Sequence, residues 1–220
     1  NNTYRSISGV LDFARFPCEI DPSFKEHRDA IIKLFHKLIL EQNVYISWTS
    51  ARYGYPKSKF FRTKIRNTNF NGELISIRQF LGWEYDLHEG NLILKGKRSE
   101  NLNEYFRFPY IEEPDYWCDY SDLAQQWPED LDIEEEHGLA YAFSEPPYGL
   151  GKSPRKQNEL FQSICTELFG GFTGDLEIIC WDTDWTNYFD AGREWWGSYL
   201  WTVYRLGNSS IAVIAGSATD

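Results

Sequence analysis

The chain has no methionine, no Cys-x-x-Cys pair, no low-complexity linker and no run approaching 18 apolar residues. Each absence excludes something. Without a long apolar run no membrane-spanning helix is expected. No signal-peptide pattern follows Asn1, so the expectation is a cytoplasmic protein. Cys18, Cys118, Cys165 and Cys180 are far apart. A chain of 220 residues buries roughly 70% of its unfolded surface and needs no disulfide staple, so four reduced thiols is the simpler reading.

Catalytic signatures are equally scarce. No serine stands in a G-x-S-x-G context, and no Cys/His group has zinc spacing. His27, His36, His88 and His137 are scattered. His27 and His36 share nearly one side of a predicted helix but lie about two and a half turns apart, too far for one metal. Each histidine reads as a surface or half-buried residue. No metal and no cofactor is expected.

Two motifs come closer to chemistry. "PPYGLGKS", residues 146 to 153, resembles a phosphate-binding loop that places Lys152 and Ser153 before a helix. Such loops work through backbone N–H groups, and Pro146, Pro147 and Pro154 have none. Too little chain follows for a nucleotide-binding parallel sheet. "WDTDWTNYFDAGREWW" sets Asp182, Asp184, Asp190 and Glu194 among Trp181, Trp185, Tyr188, Trp195 and Trp196. Carboxylates beside rings are the materials of a glycan-active hydrolase, the alternative function. The plainer reading packs the rings into a sheet and uses the acids in turns.

What is present is ordinary in amount and uneven in distribution. Hydrophobic residues make up 42% and charged residues 25%, so general disorder is excluded. Aromatics reach 17%, with nine Trp, a level found in binding surfaces as well as cores. The net charge of −11 disfavours nucleic acid and anionic membranes as partners.

The pattern of elements predicts an α+β fold: one domain over residues 1–220, a mainly antiparallel sheet and two principal helices, about 22–42 and 154–169. In the first, Asp21 is placed as N-cap and Pro22 as first helical residue, with Ile31, Leu34, Phe35 and Leu38 on one apolar face. "NVYISWTS" alternates Val44, Ile46 and Trp48 and reads as a strand. Residues 51 to 72 carry Arg52, Lys57, Lys59, Arg62, Lys64 and Arg66 with no acid, interleaved with Tyr53, Tyr55, Phe60 and Phe61. That mixture suggests single-stranded nucleic acid, but the overall charge favours a strand edge kept soluble by Lys and Arg. A hairpin is expected near Glu89-Gly90-Asn91, and "HGLAYAF" reads as a strand. In the second helix Ser153 caps, Leu160, Phe161, Ile164 and Leu168 face inward, and Gly170-Gly171 ends it. "DLEIICW" reads as a buried strand, and a closing hairpin turns across Gly207-Asn208.

The acidity is local. Residues 111 to 136 hold eleven carboxylates and no Lys or Arg, a charge equal to that of the whole chain. Among them stand Tyr116, Trp117, Tyr120 and Trp127. A solvating loop carries few rings, so the segment is expected to bind a partner. Glu112, Glu113, Asp115, Asp119, Asp122, Glu129, Asp130, Asp132, Glu134, Glu135 and Glu136 would steer a basic protein, and the rings would anchor it.

A compact acidic α+β chain rich in Trp and Tyr, with the patch "EEPDYWCDYSDLAQQWPEDLDIEEE", resembles the bacterial toxin-immunity proteins. The resemblance is one of type, with no motif matched. It implies a non-enzymatic inhibitor that covers the active site of one cognate basic toxin, such as a nuclease.

Overall fold

The structure is a computed structural model, and it describes residues 4, 6, 8–95, 105–107, 137–147, 149–150, 154–172, 174–194 and 196–218. The fold is α+β, and its larger sheet is mostly antiparallel. The chain divides into two compact units, residues 12–74 with 174–219 and residues 1–11 with 75–173.

In the first of these units one long helix covers a five-stranded sheet. Strand β1 is Leu11–Pro17, helix α1 Phe24–Tyr53, β2 Gly72–Leu74, β6 Leu176–Trp181, β7 Ser198–Arg205 and β8 Ser210–Ser217. The strand order is β1-β8-β7-β6-β2. Strands β6, β7 and β8 pair antiparallel, with Ile178 opposite Val203 and Val203 opposite Ala212. The expected strand in "DLEIICW" and the hairpin across Gly207-Asn208 are both present. Helix α1 packs Ala30, Ile31, Leu34 and Phe35 onto Ile179, Leu200, Tyr204 and Val213. Leu38 is half-buried against the same cluster.

The start of α1 corrects the sequence reading. Ser23, not Asp21, is the N-cap, and the helix opens at Phe24. "SFKE" supplies the reason: Glu26 reaches back to accept the Ser23 N–H at 2.8 Å and its hydroxyl at 3.0 Å. Asp21 adopts φ of +55° and donates its N–H to the Tyr204 hydroxyl.

The larger correction is the helix length. The predicted strand at Val44, Ile46 and Trp48 is instead the C-terminal part of α1, which ends at Gly54 with φ of +71°. No Gly or Pro interrupts residues 24 to 53, so nothing stops propagation. Burial follows the helical period, with Ile46 and Thr49 inside and Val44 and Trp48 outside.

In the other unit helix α2 is Ile77–Leu81, β3 Tyr85–Asp86, β4 Asn91–Lys95, β5 Tyr105–Arg107, α3 Leu139–Ser144 and α4 Pro154–Phe169. The β3–β4 hairpin lies where the sequence placed it, with Tyr85 opposite Leu92. Helix α4 clamps it: the Asn158 carboxamide oxygen accepts the Leu92 N–H, and Gln162 donates to the Tyr85 hydroxyl and the Gly90 carbonyl. Gly170 closes α4 with φ of +80°.

"HGLAYAF" forms helix α3, not the expected strand. Ala140 and Ala142 favour helix, and Ser144 returns a hydrogen bond to the Ala140 carbonyl at 2.8 Å. Phe143 then stacks on Tyr4 and meets Phe161 edge-on, at the centre of an aromatic core with Phe80, Tyr85 and Phe169.

Candidate partner-binding surface

The extension of α1 creates a surface that the alternating pattern concealed. Leu40, Val44 and Trp48 recur every four residues and share one helix face. All three are more than half exposed, Val44 at 70%. Past Gly54 the chain turns back through a short 3₁₀ helix, Lys57–Lys59. Two bonds hold this return against α1: the Thr63 N–H to the Gln42 carboxamide oxygen at 2.8 Å, and the Lys57 ammonium to the Ser47 hydroxyl at 3.4 Å.

The return brings rings together. Tyr45 meets Phe60 edge-on, Trp48 meets Tyr53 edge-on, and Tyr53 lies beside Tyr55 with 6.3 Å between centroids. Seven of the twelve exposed large apolar side chains among the described residues fall between Leu40 and Phe61. Scattered exposed apolar residues are normal; a concentration of this kind marks an interaction site. Burying the exposed part of Trp48 alone is worth roughly 2–3 kcal/mol.

The electrostatics invert those of the whole molecule. Arg52, Lys59, Arg62 and Lys64 are exposed and have no carboxylate partner among the described residues. Arg66 is spent, paired with Asp190. Over residues 52 to 66 the expected strand edge is absent among the described residues, where Ile65 makes a single bridge to Thr186. The basic stretch is the tail of a helix and its return, with its rings outside.

The residues singled out in sequence are distributed differently. Glu112, Glu113, Asp115, Tyr116, Trp117, Asp119, Tyr120, Asp122, Trp127, Glu129, Asp130, Asp132, Glu134, Glu135 and Glu136 lie outside the described residues. So do Lys152, Ser153, Cys118 and Trp195. The glycan set is mostly engaged within the fold. Trp181 and Trp185 are buried, and Trp185 donates its ring N–H to the Asp182 carbonyl. The Asp182 carboxylate accepts the Asn71 N–H, and Asp184 pairs with Arg193. Tyr188 donates to Asp12 at 2.9 Å, and Trp196 is buried.

Two further clusters were not anticipated. His27 is fully buried, against the expectation of a surface or half-buried ring. Burial holds its pKa down at about 4, with Glu26 opposing weakly. In the other unit the buried Glu84 accepts from Nδ1 of the half-exposed His137, whose ring stacks on Tyr141. Burial raises the Glu84 pKa, with the His137 bond and charge opposing it. No metal-holding group of His, Cys, Asp and Glu occurs among the described residues.

An open cleft of about 280 Å³ lies beside α1, lined by Pro17, Cys18, Glu19, Glu26, Asp29, Ala30 and Lys33. Burial, then Glu26 and Glu19, pushes the Cys18 thiol upward. That favours the thiol over the nucleophilic thiolate. Among the described residues Cys18, Cys165 and Cys180 form no disulfide with one another. Among the described residues no helix is long and apolar enough to cross a membrane.

No protein-family model, curated protein or solved structure matches the chain.

Proposed function

We propose that this chain is a non-enzymatic binding protein that acts by covering a surface of a second protein, in the manner of a toxin-immunity protein. One observation carries the reading: the outer face of α1, Leu40, Val44 and Trp48 with the rings of the return, is apolar, concentrated and exposed. Trp and Tyr are the residues that most often anchor protein interfaces. The spacing by fours is how a helix offers anchors to a partner.

The carboxylates and rings of the glycan reading are engaged with backbone, arginine and core, which makes that alternative the weaker one. The charge of residues 111 to 136 supports a partner that is basic where it meets that segment. A cognate toxin fits both requirements, and inhibition would follow from occlusion of its active site.

The test is co-expression with the proteins encoded beside the gene, followed by hydroxyl-radical footprinting of any complex. Protection of Val44, Tyr45, Trp48 and Tyr55 is the expected result. A stable complex that leaves these side chains as reactive as in the free protein would contradict the assignment.

A further inference from the structure

We propose that the α1 surface receives an acidic protein segment, one presenting apolar side chains flanked by Asp or Glu. The inference rests on the reading of this surface as a protein-binding face and adds the chemistry of what binds there.

Three observations carry it. First, the surface is strongly basic within an acidic chain: no Asp or Glu occurs from residue 51 to residue 72. Second, four of its six cations make no ion pair or side-chain hydrogen bond among the described residues. Arg52, Lys59, Arg62 and Lys64 have no carboxylate partner among the described residues, while Arg66 pairs with Asp190 and Lys57 donates to Ser47. Cations around an apolar centre form a rim that selects carboxylates and repels basic partners. Third, the centre is mixed in kind. Leu40 and Val44 are aliphatic and stand in line with Trp48.

The third point separates protein from nucleic acid. A single strand binds by stacking bases on rings, and Leu40 and Val44 offer no face for stacking. The net charge of −11 repels a polyphosphate at longer range. A peptide uses all three features, placing apolar side chains on the stripe and carboxylates against Arg52, Lys59 and Arg62. One partner can carry both an acidic segment and a basic surface, so an acidic segment for this face is compatible with a partner attracted by the carboxylates of residues 111 to 136.

Fluorescence anisotropy with three labelled probes tests the proposal. The probes are a helix-forming peptide of Glu and Asp with Leu and Phe on one face, the same peptide with Lys for every acid, and an oligothymidine strand. The acidic peptide is expected to bind best and to weaken with salt. Arg52→Glu/Lys59→Glu should weaken it by about tenfold or more, and Trp48→Ser should weaken it at every salt concentration. Tighter binding of the lysine peptide or of oligothymidine overturns the proposal, as does no binding of the acidic peptide. If Trp48→Ser weakens binding and the charge reversal does not, the surface still binds protein and only the acidic character is lost. If neither substitution matters to any probe or to a co-expressed partner, the binding surface itself is refuted. All the altered residues are exposed, and circular dichroism checks that each variant folds.

Discussion

The imidazole Nδ1 of His27 lies 2.8 Å from the Thr202 hydroxyl oxygen, deep in the unit built on α1. That hydroxyl already accepts the Trp181 ring N–H at 2.8 Å. The hydroxyl keeps one hydrogen and a second lone pair, so it pairs with Nδ1 in either tautomer of the neutral ring. Nε2 faces Glu177 at 3.2 Å. Partial burial, then Asp21, raises the pKa of that carboxyl. The contacts of His27 and Trp181 with Thr202 tie α1 to β6 and β7, while the buried Nε2 makes no hydrogen bond among the described residues.

This arrangement makes stability depend on pH. The folded-state pKa of His27 is about 4, against about 6.5 in the unfolded chain. The unfolded state takes up the proton first as pH falls. The contribution is complete above pH 6.5, declines between there and about 4, and levels off below. The full loss is about 3 kcal/mol. Denaturant unfolding at pH 7.5 and pH 5 should show His27→Gln losing less stability across that interval than the parent.

Along α1 the helical period predicts a contrast that a strand would reverse. Ile46→Ala removes a buried side chain and should cost about 2–4 kcal/mol. Val44→Ala and Trp48→Ala, on the exposed face, should stay within about 0.5 kcal/mol. Equal costs at all three positions, measured by chemical unfolding, would favour alternation.

Trp185 is a core residue, fully enclosed and stacked on Phe70 at 4.4 Å. Trp185→Ala should destabilise the protein by about 3–5 kcal/mol. Asp184→Asn breaks only an exposed pair with Arg193 and should cost less than about 1 kcal/mol. A sugar platform would behave otherwise, with stability kept and sugar binding lost in both variants. Thermal unfolding alongside a glycan-binding assay separates the two.

Gly82 and Gly138 press their backbones together, and a Cβ on Gly138 would overlap the Gly82 nitrogen. Gly82 also has φ of +74°. Neither side is a side chain that can yield. Gly138→Ala should destabilise the unit by about 2 kcal/mol or more, read by denaturant unfolding. Gly149→Ala relieves no contact and strains only its φ of +64°, so it should cost less.

The hairpins and the second helix were legible because their signals are local: glycine turns at Gly90 and Gly207, and a period-3.6 stripe closed by Gly170. Two errors came from short windows. Val44, Ile46 and Trp48 alternate over five residues, while the absence of any breaker from Phe24 to Tyr53 is visible only over thirty. Leu139, Tyr141 and Phe143 alternate too, yet Ala140 and Ala142 are also buried, so the pattern was not two-faced. The capping box at Ser23 and Glu26 is written in the sequence two residues after the competing start signal Asp21-Pro22. The candidate surface was half legible. Its rings and cations were noted, but dividing α1 at Gln42 separated them from Leu40 and Val44. His27 and Glu84 gave no signal, because their burial depends on partners far away in sequence.

The measurement that tests the central claim most directly is the dissociation constant of a co-expressed partner for the parent protein and for Val44→Asp/Trp48→Ser. Two controls on other exposed apolar residues, Ile20→Ser and Leu206→Ser, accompany it. Loss of about a hundredfold or more in the double variant, equal to roughly 3 kcal/mol, with both controls unchanged, is the predicted result. Equal affinity for the parent and the double variant would contradict the assignment of this face as the binding surface.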